Sequence, residues 1–270
     1  MVARIPIAHL HGGETTEGVI DEAIRHAITK MAHFHFVAAE PYRRRVIQLG
    51  ESPERVMNYG APGLDHLKRL KLLNREEFES AINFTLDELT FLVTYHPVTL
   101  NKEEIKPYVL SLFEALAQFP NAKIIFTKSN ADTNGRMINE LIDNFVSNNP
   151  KISAAYTSLG QLRYLSALKH VNVVIGNSSS GIIEAPVFKK PTVNIGDRQR
   201  GRLYAPSIIN CNEETQSIVM AIRKALSASF LESIKTVKSI YGVGDVSVKI
   251  KEYLKTVDLR NILKKKFYDL

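Results

Sequence analysis

A run of small polar residues, Gly-Asn-Ser-Ser-Ser-Gly at 176–181, follows directly after the apolar segment Val-Val-Ile. A strand that passes through a glycine turn into a helix leaves unpaired backbone N–H groups at the helix start, where the partial positive charge favours an anion. Ser178, Ser179 and Ser180 add hydroxyl groups at this turn, which ends with Gly181. The spacing predicts a phosphate-binding turn, although the same run taken singly also fits an ordinary polar turn capped by serine.

Arginine side chains follow the next apolar strand. Arg198 lies in the segment Pro-Thr-Val-Asn-Ile-Gly-Asp-Arg-Gln-Arg-Gly-Arg at 191–202, after the helix that carries Glu184. Because the carboxyl ends of parallel strands meet at one edge of a sheet, we expect the guanidinium group and the serine turn to be neighbours. Together they favour a nucleotide diphosphate site over an ordinary polar turn.

A second set of reactive side chains lies near the start of the chain. His11 and Glu14 follow an apolar strand, and Asp21, Glu22 and Arg25 open the next helix. A strand end, a glycine turn and a helix start converge at the ligand-binding edge of a parallel sheet, so these groups could surround one cleft. Carboxylates near histidines can remove and return a proton when their surroundings separate their pKa values.

A structural role is the alternative for this set. Asp21 and Arg25 would then form an ion pair one helical turn apart, Glu22 would face solvent, and His9 would be a hydrogen-bonded residue of the sheet. The spacing by itself leaves both interpretations open.

Other candidate groups also follow strands. His96 comes directly after the strand predicted at 91–95, and Asn130 follows the strand predicted at 122–126. The single cysteine, Cys211, excludes an intrachain disulfide and a multi-cysteine metal site, and a lone cysteine is typical of a small buried apolar position. We expect neither a metal nor a cofactor.

The charge of the chain is concentrated at its end. The formal net charge is +7, and residues 249–270 hold seven Lys or Arg against three acids. Lys264-Lys265-Lys266 could contact a polyanion, but the interleaved apolar residues favour a docking helix with a solvated basic face. We expect no nucleic-acid partner, and without a long apolar run or a signal-peptide pattern we expect a cytoplasmic protein with no membrane partner.

Strand and helix patterns alternate along the chain, which predicts an α/β fold with parallel sheets. The 270 residues, 44% of them hydrophobic, can bury one large or two modest cores. Gly-Ala-Pro-Gly at 60–63 interrupts the alternation and predicts a hinge. Strands are predicted at 5–10, 33–38, 56–59, 91–95, 122–126, 152–155, 171–175 and 192–195, and helices most clearly at 42–49, 105–118, 134–147 and 213–226.

The first sixty residues contain fewer strands and helices than a parallel domain needs to cover its sheet. We therefore expect that they are the second half of a domain and that the chain is truncated or starts too far downstream. The predicted divisions are 1–62 for this half-domain, 63–244 for a nucleotide-binding domain, and 245–270 for a C-terminal helix that docks on the first domain.

Five motifs give the chain a family resemblance. They are His-Leu-His-Gly-Gly-Glu at 9–14, Ile-Asp-Glu-Ala-Ile-Arg-His-Ala-Ile-Thr-Lys at 20–30, Tyr-His-Pro-Val-Thr at 95–99, Ile-Gly-Asn-Ser-Ser-Ser-Gly-Ile-Ile-Glu at 175–184, and Asn-Ile-Gly-Asp-Arg-Gln-Arg-Gly-Arg at 194–202. In this order they resemble the hydrolysing UDP-N-acetylglucosamine 2-epimerases. The resemblance implies a GT-B fold, in which two Rossmann-like domains face each other across a cleft.

The resemblance also implies roles for residues. Ser178, Ser179 and Arg198 would bind the diphosphate, Glu184 the ribose, and His96 a phosphate or sugar group. Asp21 falls on a catalytic acid/base position, with Glu14, Glu22 and Arg25 in the same motif. The implied reaction eliminates UDP through a 2-acetamidoglucal and hydrates the glycal with inversion at C2, to give an N-acetylmannosamine-type sugar for nonulosonic (sialic) acid synthesis.

The chain departs from the family pattern in two places. His11 stands where part of the family has glutamate, and an upstream segment like His-Gly-Asp-Arg, with another catalytic aspartate, is missing. The missing aspartate favours the alternative of a nucleotide-sugar-binding remnant without turnover. A GT-B glycosyltransferase with the same fold and phosphate-binding turn is a further alternative. The expected partner is a UDP-sugar, and the expected full-length assembly is a homo-oligomer, either a dimer or a tetramer.

Overall fold

The computed structural model describes residues 2–17, 19–98, 104–130 and 134–270. The chain forms two compact units, each an α/β structure on a parallel sheet. The first unit contains Met1–Thr16, Ile20–Leu70 and Ser239–Leu270, and the second contains Glu17–Val19 and Lys71–Lys238. The predicted α/β class with parallel sheets is confirmed.

The first unit has a three-stranded parallel sheet. Its elements are β1 (Ala8–Leu10), α1 (Asp21–Met31), β2 (Phe34–Val37), α2 (Glu40–Gln48), β3 (Val56–Asn58) and α3 (His66–Arg69). The strands lie in the order β1-β2-β3, and every residue of the central strand β2 is buried. A central parallel strand is covered on both faces, which suits Phe34, Phe36 and Val37, while the buried His35 contacts Glu51 at 3.0 Å.

The second unit has a six-stranded parallel sheet whose strands lie in the order 153–156, 123–127, 90–94, 173–176, 192–195 and 208–211. The last strand was not predicted from the sequence, because its four residues include Asn210 and Cys211 and have no long apolar run. The elements are α4 (Arg75–Ile82), β4 (Thr90–Thr94), α5 (Lys106–Ala117), β5 (Lys123–Thr127), α6 (Gly135–Asn148), β6 (Ser153–Tyr156), α7 (Gly160–His170), β7 (Val173–Gly176), α8 (Ser180–Ile183), β8 (Thr192–Ile195), β9 (Ile208–Cys211), α9 (Thr215–Leu226) and α10 (Ala228–Ile234).

Apolar side chains of the sheet and of its covering helices form the core of the second unit. Phe91, Ile124 and Val173 belong to three strands and are each at most 1% exposed. Phe113 of α5 packs edge-on against Phe126 of β5 with 6.0 Å between ring centroids. This packing fixes the strand ends that carry the polar candidates.

The C-terminal segment belongs to the first unit. The helix α11 (Val246–Thr256) begins where the buried carboxylate of Asp65 accepts hydrogen bonds from the backbone N–H groups of Val246 and Ser247, both at 2.7 Å. These contacts account for an extension of the first unit to Leu70, beyond the boundary predicted at 62.

The C-terminal helix is shorter than the sequence pattern suggested. It ends at Thr256 because Val257 is extended, with ψ at 136°, so the three consecutive lysines lie in a non-helical tail. Lys264 and Lys266 are exposed, whereas the side chain of Lys265 is only 21% exposed and contacts Glu51. The prediction of a fully solvated basic face is therefore wrong for Lys265.

Candidate functional site

The sheet of the second unit has a topological switch point between β4 and β7. From β4 the chain adds β5 and β6 on one side, and then returns to place β7, β8 and β9 on the other side. Ligands of open parallel sheets bind in the crevice at the carboxyl ends of the two strands beside such a switch point. His96 follows β4 and Asn177 follows β7, so both lie at this crevice.

Asn177 joins the loops of three strands. Its side-chain Oδ1 accepts from the backbone N–H of His96 at 2.7 Å, and its Nδ2 donates to the carbonyl oxygen of His96 at 2.8 Å. The carbonyl oxygen of Asn177 accepts from Arg198 Nη1 at 3.1 Å and from Gln199 Nε2 at 2.8 Å. With Asn177 only 1% exposed, these bonds bring the predicted His96, serine-turn and Arg198 positions to one place.

The serine turn needs glycine at two positions. Gly176 has φ at +128°, and a Cβ there would overlap the carbonyl oxygen of Thr94 on the neighbouring strand. A Cβ on Gly181 would lie 2.7 Å from Thr192 Cγ2, so only glycine allows the turn to pack this closely on β8. Both glycines therefore serve the close approach of the turn to the sheet.

The helix after the serine turn is short. The α-helix covers only Ser180–Ile183, and a 3₁₀ turn at Ala185–Phe188 continues it. Ser178, Ser179 and Ser180 are all partly exposed, and the N–H of Ser180 donates to Ser178 Oγ at 3.4 Å. Glu184 lies where the helical turn ends.

The imidazole ring of His96 is held by the loop after β5. Its Nδ1 accepts from the backbone N–H of Asn130 at 3.3 Å and lies 3.2 Å from Ser129 Oγ. Because Nδ1 acts as an acceptor, the neutral ring carries its proton on Nε2. Asn130 is thus beside His96 through its backbone, while its side chain is exposed.

Three residues of this crevice were not predicted from the sequence: Asn177, Ser129 and Gln199. Asn177 stood within the quoted motif, directly after the glycine, and Ser129 directly precedes Asn130. The sequence signal for Asn177 was its position as a polar residue directly after a buried strand. This signal does not identify its hydrogen-bond partners, because they are distant in the sequence.

In the first unit, Glu22 is the centre of a polar cluster at the start of α1. Its Oε2 accepts from the backbone N–H of Thr16 at 2.6 Å and from Arg25 Nη1 at 3.1 Å. Its Oε1 lies 3.0 Å from His26 Nε2. Asp21, the first residue of α1, is exposed.

The structure therefore corrects the alternative of an Asp21–Arg25 ion pair. Arg25 pairs with Glu22 three residues before it, and the side chain of Glu22 is only 28% exposed. The side chain of Glu22 has the reach to contact Arg25 and the loop at Thr16 together, whereas Asp21 is exposed at the helix start.

His11 and Glu14 form a direct pair in the loop between β1 and α1. His11 Nδ1 lies 2.7 Å from Glu14 Oε1, and the side chains are 37% and 2% exposed, respectively. Arg25 Nη1 donates to the carbonyl oxygen of Glu14 at 3.2 Å, which connects this pair with the Glu22 cluster. The fold thus gathers His11, Glu14, Glu22 and Arg25, with Asp21 beside them at the helix start.

His9 lies beneath this cluster. It is 8% exposed on β1, and its Nδ1 lies 3.2 Å from Thr29 Oγ1. Burial, with a smaller contribution from His35, lowers the pKa of His9 to about 4. His9 is therefore neutral near pH 7, in agreement with the structural alternative for this residue.

No group of three or more potential metal ligands occurs in the part of the chain that the structure describes. Within the same ranges, no helix has the length and apolar character needed to cross a membrane.

Residues 1–255 match the family model described as UDP-N-acetylglucosamine 2-epimerase. The chain belongs to this epimerase family. The resemblance stated from the five sequence motifs is thus confirmed.

Individual relatives agree with this family. A protein of Campylobacter jejuni, named GDP/UDP-N,N'-diacetylbacillosamine 2-epimerase (hydrolyzing), is 43% identical over 271 residues, which cover 100% of this chain and 70% of the relative. The polysialic acid biosynthesis protein P7 of Escherichia coli is 36% identical over 272 residues, covering 98% of this chain and 68% of the relative.

A solved structure gives the same fold. The UDP-GlcNAc 2-epimerase from Neisseria meningitidis, determined bound to UDP-GlcNAc, matches with a TM-score of 0.80 and 20% identity over 95% of this chain and 71% of that one. The predicted GT-B fold is confirmed by this likeness.

Proposed function

We propose that this member of the epimerase family is a hydrolysing 2-epimerase of a UDP-linked 2-acetamido sugar. UDP-N,N'-diacetylbacillosamine is the first candidate substrate, because the Campylobacter relative that is 43% identical carries that activity in its name. The observation that carries the proposal is the junction made by Asn177, which groups His96, the serine turn and Arg198 at the switch point of the sheet.

The second unit supplies the groups for the diphosphate. Arg198 offers a guanidinium group, and His96 offers an N–H on Nε2, since its Nδ1 accepts from the N–H of Asn130. Ser178 and Ser179 add hydroxyl donors at the turn, and Glu184 would accept from the ribose hydroxyls. Charge-assisted hydrogen bonds to phosphate are roughly twice as strong as neutral ones, so Arg198 contributes most to binding.

The first unit supplies the proton-transfer groups. In the proposed reaction, a base removes the C2 proton while the C1–O bond to the diphosphate breaks and UDP leaves with the bonding electrons. Water then adds to the resulting glycal and places its hydroxyl group at C1. The proton returns to C2 on the face opposite to the one from which the first proton was removed, which inverts C2. Asp21 is exposed at the start of α1 and suits an acid/base role. Glu14, buried against His11, offers a second carboxyl group in a different environment.

The proposal also includes the setting of the reaction. The free sugar would be of the N-acetylmannosamine type and would enter nonulosonic acid synthesis, which the 36% identity to polysialic acid biosynthesis protein P7 supports. The enzyme would act in the cytoplasm as a homo-oligomer, without a metal or a redox cofactor.

Turnover in deuterated water tests the function. The chain is incubated with UDP-N,N'-diacetylbacillosamine, its GDP counterpart and UDP-N-acetylglucosamine, and the released sugar is examined by NMR. We expect UDP release with deuterium at C2 and inverted configuration, fastest for UDP-N,N'-diacetylbacillosamine. A sugar with hydrogen at C2 and unchanged configuration would indicate transferase-type hydrolysis, and UDP binding without release would indicate a binding protein.

A further inference from the structure

The tail residue Lys265 reaches the carboxyl end of α1. Its Nζ donates to the carbonyl oxygens of Ala32 at 2.7 Å and Lys30 at 3.0 Å, and lies 3.4 Å from the carbonyl oxygen of Thr29. These carbonyl groups lie at the end of the helix, where Thr29 O also accepts from the N–H of Ala32 at 3.3 Å, and a cation at this end interacts favourably with the helix dipole. Lys265 therefore caps α1.

Lys265 also contacts a buried carboxylate. Its Nζ lies 2.6 Å from Glu51 Oε2, and the side chain of Glu51 is only 3% exposed. Glu51 is further bound by Lys30 Nζ at 2.7 Å and by His35 Nε2 at 3.0 Å. Burial acts to raise the pKa of Glu51, but the hydrogen bonds from His35, Lys265 and Lys30 lower it to about 2.

Several contacts fix the position of the tail around Lys265. The ring of Phe267 lies 4.8 Å from Lys30 Nζ, and the backbone N–H of Tyr268 donates to the carbonyl oxygen of Gly50 at 2.9 Å. The Phe267 ring occupies the space that a Cβ on Gly50 would need. The tail is thus seated by shape and by hydrogen bonds on the segment that follows α2.

The helix that Lys265 caps carries the candidate acid/base cluster at its other end. Glu22 and Arg25 lie in the first turns of this 11-residue helix. Thr29 Oγ1 donates to the carbonyl oxygen of Arg25 at 3.1 Å and lies 3.2 Å from His9 Nδ1. A helix of 11 residues behaves as a rigid body. The contacts that anchor its carboxyl end therefore also determine the position of its first turn.

We propose that Lys265 is a positioning residue for the acid/base cluster, acting through α1 and Glu51 rather than through contact with substrate. This inference rests on the proposed epimerase function for its kinetic consequence. It gives the C-terminal tail a role in turnover that its solvent-exposed lysines, Lys264 and Lys266, do not share.

Kinetics of three variants test the inference. Lys265→Met keeps the aliphatic chain and removes the ammonium group, Lys265→Arg keeps a charged donor, and Lys266→Met is the matched control at an exposed neighbour. We expect Lys265→Met to lower kcat at least tenfold, with KM and the Kd for UDP within twofold of the unmodified chain. Lys265→Arg should recover most of the rate, and Lys266→Met should leave it unchanged.

Amide hydrogen exchange provides a readout that needs no turnover. The N–H of Thr16 is bonded to Glu22 Oε2, so its protection reports on the cluster at the far end of α1. We expect Lys265→Met to speed exchange at Thr16 as well as around Ala32. Faster exchange confined to the region of Ala32, with unchanged kcat, would overturn the inference.

Two further outcomes have defined meanings. If the unmodified chain releases no UDP, the proposed function fails, whereas the exchange at Thr16 still decides whether Lys265 positions the cluster. If Lys265→Met does not fold, Lys265→Gln, which retains donors for the carbonyl groups but has no charge, takes its place in both measurements.

Discussion

Asn177 holds the backbone of His96 with both atoms of its side-chain amide, at 2.7 and 2.8 Å. This pairing links the loops that follow the neighbouring strands β4 and β7, at the switch point where the order of strands in the sheet changes side. It fixes His96 without using the imidazole ring, which remains part of the crevice.

We expect Asn177→Ala to weaken UDP binding at least tenfold and to destabilise the chain by about 1–3 kcal/mol, because it leaves buried backbone groups of His96 without their partners. Asn172→Ala is the matched control. Asn172 Oδ1 accepts from the N–H of Thr90 at 2.7 Å at the start of β4, the opposite edge of the sheet. Calorimetric titration should show reduced UDP affinity for Asn177→Ala alone, and equal loss in both variants would contradict a local role.

Arg198→Ala should weaken UDP binding by roughly one to two decades, which corresponds to the 1.5–3 kcal/mol of a hydrogen bond to a charged group. Arg200→Ala is the control, because Arg200 is 65% exposed and pairs with Glu17 and Asp197. Isothermal titration of the variants with UDP checks the prediction. Equal affinities for Arg198→Ala and the unmodified chain would remove this arginine from the site.

Gly176→Ala should be much more destabilising than Gly160→Ala. At Gly176 the added Cβ overlaps a backbone oxygen, whereas at Gly160, with φ at +61°, no atom lies within 4 Å of it. The second change therefore costs only the left-handed backbone strain of about 1–2 kcal/mol, and the first adds a steric clash. Thermal unfolding followed by circular dichroism measures both, and similar melting temperatures would refute this difference.

Acid should destabilise the first unit in two steps. The pKa of His9 falls from 6.5 to about 4 on folding. Its contribution to the free energy of unfolding is therefore complete above pH 6.5 and is lost as the pH falls toward 4. The pKa of Glu51 falls from 4.5 to about 2, so its contribution is lost between those values. In the upper window, the slope of unfolding free energy with pH approaches about 1.4 kcal/mol per unit for one proton.

Denaturant unfolding at several pH values checks the His9 contribution. We expect His9→Gln to flatten the slope between pH 6.5 and 4, with His66→Gln as a control outside the buried cluster. An unchanged slope in His9→Gln would show that other groups bind the proton in this window.

Asp21→Asn should lower the rate of UDP release by about 10²- to 10⁴-fold, the usual contribution of a positioned general acid or base. Glu40→Gln is the control, since Glu40 is likewise the first residue of an exposed helix start, that of α2. Single-turnover kinetics with both variants measures the effect. A full rate in Asp21→Asn would assign the acid/base role to another group, with Glu14 as the next candidate.

The sequence by itself determined the class of fold and the positions of most strands. Parallel strands buried on both faces give continuous apolar runs, such as Val173-Val174-Ile175, and these are visible without a structure. The polar groups at the ends of such runs, including His96 and the serines at 178–180, were identified for the same reason. A short strand with mixed polarity, β9, was not.

Which of these groups contact one another was decided by the tertiary structure. Asn177 and His96 are 81 residues apart, and their pairing depends on β4 and β7 being neighbours in the sheet. Local spacing likewise allowed Asp21 as the partner of Arg25, but in the structure Arg25 pairs with Glu22, which also accepts from the N–H of Thr16. Three consecutive lysines are chemically identical in sequence, and only the packing of the tail on α1 buries Lys265 against Glu51. Local patterns determine which elements form, whereas the contacts of a polar side chain depend on segments that only the complete fold brings together.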